Sequence, residues 1–334
     1  MYSPIHAECL TLIEQGLQFD PIYGPDLSNH LPMALIALAR CGASPHQLDH
    51  FYQAYAPNLR PLRQTIPTRH ATPALADRDS FPAFLQQFRQ QIALHDVDTV
   101  LREWLPILLP GLAASAFHAL IRLSYALEAD NNDEIAIALA YWASEYQSLG
   151  PLTFTDRYQP DEQLTAAYQS FRDVQIQPWI ITERIGEVIA HPDYQLLAAV
   201  PESLNENEMA RLIIRAYLAS GDFTLLHGVT GFDALLQLMP YIADRRQALA
   251  CYWQAYVAAF CSAETMKPLP TESVADIQPE WDRWFDAVTS LSDDHTIKLT
   301  YSCSRLYQTF SFNEYLAAIQ MKQATHEEQL RNTA

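Results

Sequence analysis

Apolar residues along this chain recur at three- and four-residue intervals, and short β-branched runs with strict alternation are missing. Residues 4–19 set the pattern, with Ile5, Cys9, Leu12, Ile13 and Leu17 on one stripe of a helix. A turn-rich connector with Pro21, Gly24 and Pro25 follows. Ser28 or Asn29 then caps a helix that opens at His30, where Pro32 is tolerated because it falls in the first turn. The same periodicity predicts helices over residues 83–95 and 96–109, closed by Pro110 and Gly111, and over 161–199 with interruptions at Pro178 and Pro192. Further helices are expected over 205–220, from Trp281, Trp284, Phe285 and Val288 onward, and over 292–308 and 313–330.

One formula recurs inside this framework: a histidine, an Ala/Leu helix, a polar turn and an aromatic helix. Residues 222–260 state it most fully. His227 precedes a break bracketed by Gly228 and Gly231, the helix 234–239 stops at Pro240, and Tyr252, Trp253 and Tyr256 follow. His30 leads a copy that ends in Phe51, Tyr52 and Tyr55, and His118 leads one that ends in Tyr141, Trp142 and Tyr146. From His30 to Tyr52, His118 to Tyr141 and His227 to Tyr252 the intervals are 22, 23 and 25 residues. A weaker copy runs from His295 to Tyr315. Such repetition predicts an all-α protein, a single large domain of helical hairpins around a central pocket, with units at 29–56, 116–148, 222–260 and 292–320.

Composition agrees with that picture. The chain has 334 residues, 49% of them hydrophobic, which is enough to bury a substantial core, and only nine are glycine. A formal charge of −18 argues against nucleic acid or an anionic membrane as partner. No run of 18 apolar residues occurs, and the first residues lack a basic segment before an apolar core. The five cysteines, Cys9, Cys41, Cys251, Cys261 and Cys303, form no CxxC pair, so buried reduced thiols and a cytoplasmic setting are expected. The exception to the acidic surface is 57–82, which holds five prolines interspersed with Arg60, Arg63, Arg69, His70 and Arg78. That stretch is expected to be extended, as a strap over the active site or as an arm along the surface.

Absences narrow the chemistry. GxGxxG after a strand, GxxxxGK[ST], GxSxG and HExxH are all missing, which argues against a flavin or nicotinamide on a Rossmann unit. His95-Asp96 alone is a weak metal signal. The leading histidines are the best candidates. His30, His118 in a helix capped by Ser115, and His295 fall at helix starts, where the macrodipole disfavours imidazolium and a neutral ring can ligate a metal or accept a phenol proton. Each can equally satisfy a backbone group between hairpins. His118 and Arg122 share one helix face, so Arg122 could hold a substrate oxyanion or pair with Glu128 or another acid. Asp233 could orient His227 or cap a helix after Thr230. Lys298 lies in an apolar helix, either as a functional amine or as a snorkelling or ion-paired side chain, the commoner case. Tyr52, Tyr125, Tyr141, Trp142, Tyr252 and Trp253 could line a flat aromatic pocket or serve as core.

These segments together resemble the questin oxidase-like proteins. The resemblance rests on residues 29–35 (NHLPMAL), 117–123 (FHALIRL) with 125–128 (YALE), 226–230 (LHGVT) and 295–299 (HTIKL), and spreads over roughly 25–310. It implies a Baeyer–Villiger-like oxidative cleavage of polyketide anthraquinones or related quinones by dioxygen, with NADPH, although fungal members are longer than this chain. Residues and resemblance meet in one hypothesis. A phenol or hydroquinone among the aromatics is deprotonated by His118, His227, His30 or His295, and Arg122 or Lys298 stabilises the oxyanion. The alternatives are a metal held by His30, His118, His227 and His295, and a non-catalytic helical protein that binds a hydrophobic small molecule. Proton transfer is favoured at this stage, because no carboxylate or second histidine stands at i+3 or i+4 from any of the four. His118, His227 and at least one of His30 and His295 are expected to point into a single aromatic-walled cavity.

Overall fold

The computed structural model describes residues 2–65, 72–177, 180–272 and 274–333, with side chains through Thr325. Among the described residues the protein is all-α, with sixteen α-helices and two pairs of two-residue strands. The chain divides into two compact units, Met1–Ser148 with Ala234–Ala248, and Leu149–Asp233 with Leu249–Ala334.

The first unit runs α1 (Ala7–Gly16), the antiparallel pair β1 (Ile22–Tyr23) and β2 (Leu27–Ser28), α2 (Leu31–Arg40), α3 (Pro45–Tyr55), α4 (Phe81–Leu94), α5 (Val97–Leu108), α6 (His118–Glu128) and α7 (Asn132–Ser144). Its helix starts are written locally. Ser44 and Gln47 form a reciprocal capping box on α3, and Asn131 accepts from Glu134 N at 2.8 Å to start α7. Asp96 caps α5 through Thr99 N at 2.7 Å, so the acid of the His95-Asp96 dipeptide serves a helix end. Every residue from Leu31 to Ala39 in α2 and from Glu134 to Ser144 in α7 is buried, as befits helices packed on all sides. α7 packs against α4 and α6, and α2 against α1, α3 and α6.

The second unit holds β3 (Phe154–Thr155), α8 (Pro160–Phe171), α9 (Ile181–Ala190), α10 (Pro192–Leu197), β4 (Val200–Pro201) and α11 (Glu206–Ser220). The division between units falls inside α12 (Phe223–Leu238) and α13 (Arg245–Cys261). The second unit then continues with α14 (Trp281–Val288), α15 (Asp294–Phe310) and α16 (Asn313–Thr333). β3 and β4 pair in parallel, and α16 packs on α11 and α15.

Two local expectations are corrected. The break at Gly228–Gly231 does not exist, because α12 runs unbroken through both glycines. A β-carbon on Gly228 would stand 2.6 Å from Tyr256 Cε2, so this glycine makes room for a ring and ends nothing. Ser115 does not cap α6. The helix begins at His118, and Ser115, Ala116 and Phe117 before it all have positive φ, at 48°, 56° and 67°.

Of the proline-rich stretch, residues 66–71 lie outside the described residues, Arg69 and His70 among them. On its near side Arg60 and Arg63 converge on the fully buried carboxylate of Asp20, with Arg63 Nε at 2.7 Å and Arg60 Nη2 at 3.2 Å. On its far side Arg78 bridges Asp26 at 2.8 Å and Glu145 at 2.9 Å, and Ala76 N donates to Ala143 O at 3.0 Å. Arg60, Arg63 and Arg78 therefore neutralise acids of the first unit.

Candidate functional site

In the first unit the fold brings His30 and His118 together. His30 is the N-cap residue of α2 and His118 the first residue of α6. Their rings stack with centroids 4.6 Å apart and planes within 11°. Both are buried, at 7% exposure. His118 Nδ1 donates to Ser115 O at 2.5 Å, which places the lone pair of the neutral ring on Nε2. The carbonyl can turn back on that ring because Ser115, Ala116 and Phe117 follow one another through the left-handed region. Each such residue costs about 1–2 kcal/mol when it is not glycine. All three are buried, so the surrounding core holds the turn in place.

Arg122, one turn beyond His118, is committed elsewhere. Its Nε and Nη2 meet Glu134 Oε1 and Oε2 at 2.6 and 3.0 Å, with both side chains about 1–2% exposed. Burial pushes the Glu134 carboxyl up and Arg122 opposes it. Glu128 pairs with Arg40 at 2.6 Å instead. The aromatic candidates Tyr52, Tyr125, Tyr141 and Trp142 are buried in this unit. Trp142 Nε1 donates to Gly111 O at 3.2 Å, and Tyr141 Oη and Ser28 Oγ lie 2.6 Å apart.

In the second unit His227 and His295 approach edge to face at 5.2 Å. His227 is the fifth residue of α12, not a residue before it, and its Nδ1 donates to Phe223 O one turn back at 2.7 Å. The Asp233 carboxylate takes Arg305, with Nη2 at 2.5 Å. His295 is the second residue of α15, and its Nδ1 stands 3.0 Å from Asp294 Oδ1. The same carboxylate oxygen lies 3.3 Å from Lys298 Nζ. Burial pushes the Lys298 amine below its ordinary range, against the pull of Asp294. The neighbouring Asp293 has a different task, capping α15 through His295 N at 3.0 Å and accepting from Thr296 Oγ1 at 2.5 Å. Tyr252 and Trp253 are fully buried, with their polar ends on Gly228 O and Gln163 Oε1.

Three of the four leading histidines thus share one device, in which Nδ1 is held by a carbonyl or carboxylate and Nε2 carries the lone pair. Four participants were not singled out in the sequence: Glu134, Asp294, Phe223 and the Ser115–Phe117 turn. Asp294 was there to be found. It precedes His295 by one residue and Lys298 by four, a spacing that puts it on the same helix face as Lys298. Phe223 left no comparable signal. A cavity of about 380 Å³ in the second unit, lined by Arg172, Arg184, Thr265 and Lys267 among others, includes none of the histidines.

Comparison with known proteins reaches the first pair of histidines, His30 and His118, and stops short of His227 and His295. A family model described as questin oxidase-like matches residues 27–216. A Baeyer–Villiger oxidase of Paecilomyces divaricatus, AgnL3, is 29% identical over 159 residues, covering 42% of this chain and 35% of that protein. The match therefore spans about a third of the length of that relative.

Proposed function

The chain belongs to the questin oxidase-like family, and from that premise we propose that it is a dioxygen-consuming oxidoreductase whose histidines hold a redox-active transition metal. The substrate class is an aromatic polyketide or quinone, and the reaction a Baeyer–Villiger-like oxidative cleavage, as the name of its relative suggests. The observation that carries the metal reading is the tethering of His118, His227 and His295 through Nδ1. Metal-bound histidines are held in this way, with the second ring nitrogen donating to a carbonyl or carboxylate so that tautomer and orientation are fixed. A base that takes one proton needs one such ring, whereas repeated tethers suit a set of donors.

The nitrogen donors in this reading are a close pair within each unit, His30 with His118 in the first and His227 with His295 in the second. Imidazole ligands suit iron, copper and zinc, and for a reaction with dioxygen iron or copper fits. When bound, such a metal would supply the activation of dioxygen. The residues of the chain do the rest. The left-handed turn aims Ser115 O at His118, the α12 carbonyl of Phe223 holds His227, and Asp294 steadies His295. Lys298, buried and readied to lose its proton more easily than usual, can hand a proton to a developing oxyanion or take one from a phenol.

NADPH, implied by the resemblance, does not fit the described residues. The glycines where a β-carbon would collide, Gly111 and Gly228, face tyrosine rings and offer no cradle to a pyrophosphate. The buried guanidiniums Arg122 and Arg184 and the part-buried Arg305 are bound to Glu134, Glu264 and Asp233. No step is assigned to it.

A second reading has its own support. The Asp294 carboxylate on His295 is the arrangement of a general base, which would act on a phenol without any metal. Oxygen uptake with a hydroxylated anthraquinone, run on protein as isolated, after chelation and after return of Fe(II), decides between them. The metal reading expects uptake that chelation removes and Fe(II) restores. Full uptake by metal-free protein overturns it and leaves the base.

A further inference from the structure

Phe223 stands out among the exposed apolar residues because of what lies beneath it. It opens α12 and is 49% exposed. Isolated apolar side chains on a surface are ordinary and usually rest on other apolar groups. This ring rests on two histidines. Its centroid is 4.7 Å from that of His227, edge to face, and 4.6 Å from that of His295. His227 under it is only 1% exposed. The same residue holds His227 in place by its backbone, since Phe223 O receives the Nδ1 proton.

The two roles separate cleanly. The carbonyl fixes the ring of His227 whatever side chain position 223 carries, so nothing in the orientation of the histidine calls for a phenyl group. The position is also well defined, because Asp222 accepts from Thr224 N at 2.8 Å and Leu225 N at 3.3 Å to start the helix. Its other carboxylate oxygen accepts from Thr265 N at 2.9 Å. A half-exposed aromatic ring packed over two imidazoles offers its outer face as a surface on which a flat conjugated molecule stacks.

We infer that Phe223 is a substrate-contacting, specificity-determining residue whose exposed ring face stacks a planar aromatic substrate over the His227–His295 pair. This rests on the functional reading above only for the class of substrate. A saturated molecule of similar size gains nothing from such a face, so Phe223 selects for planarity.

The test is binding by calorimetry to the full-length protein as isolated, with two probes: a planar hydroxyanthraquinone and a hydroxylated, saturated tricyclic ketone of like size. The variants are Phe223→Leu and Phe223→Trp. Stacking of aromatic pairs predicts that Phe223→Leu weakens the planar probe roughly 3- to 10-fold while the saturated probe changes by less than about twofold. Phe223→Trp keeps planar affinity near wild type, and both variants retain the wild-type metal content and melt. Phe223→Leu binding the planar probe as tightly as wild type, on an unchanged melt, overturns the inference and leaves the oxidoreductase reading standing. Equal weakening of both probes also overturns it, since that marks a loss of shape. Wild-type protein that binds neither probe sinks the functional reading and this inference with it.

Discussion

At the scale of single residues, the candidate site is governed by where each polar side chain finds its partner, and that is what a sequence conceals best. Arg122 was visible as a charge beside His118, yet its partner Glu134 sits on the next helix, and only the packing of α6 on α7 decides between Glu134 and Glu128. The pair is bidentate and buried, so removing one member strands the other. Arg122→Met is expected to destabilise the protein by about 3–5 kcal/mol, and the double variant Arg122→Met/Glu134→Leu to recover most of that. Urea unfolding measures both. An Arg122→Met protein of nearly wild-type stability that has lost turnover would show Arg122 to be a substrate group instead. Lys298 and His295 were legible as types in an apolar helix. The i, i+4 spacing of Asp294 and Lys298 was legible too, whereas the sharing of one Asp294 oxygen between Lys298 and His295 is set by the fold.

At the scale of elements the helices themselves were plain, because an apolar stripe at three and four residues survives almost any tertiary surrounding. Their ends and interruptions were less so. α6 was expected to start from a Ser115 cap, and it starts instead from three left-handed residues with no glycine among them, a conformation the buried surroundings impose and no local preference announces. α12 was read as broken at Gly228, since glycine is ordinarily punctuation. Its real reason lies 28 residues on, in the ring of Tyr256 pressed against the glycine Cα. Gly228→Ala is therefore expected to cost about 1–3 kcal/mol through overpacking, although alanine is the better helix former. A thermal or urea melt in which Gly228→Ala is as stable as wild type, or more so, would contradict this origin for the glycine.

At the scale of the whole molecule, an all-α chain places four leading histidines as two close pairs, one in each unit, and ties three of the four by Nδ1. The resemblance to the questin oxidase-like proteins was readable in the sequence because it needs only short segments, and the family match over residues 27–216 bears out the family, with the segments around His30 and His118 inside the match and those around His227 and His295 beyond it. The tethers were not readable, since they depend on carbonyls and on a residue upstream. The central claim is that these tethered rings are metal ligands and not core histidines. It is tested most directly by metal content per chain, measured alongside oxygen uptake, for wild type, His118→Ala and His227→Ala. Loss of one buried hydrogen bond costs about 1–3 kcal/mol, a melt shift of only several degrees, so both variants should remain folded. Metal in the wild type, and less metal together with less uptake in each folded variant, is the predicted result. Folded variants that keep the metal and consume oxygen as the wild type does would contradict it.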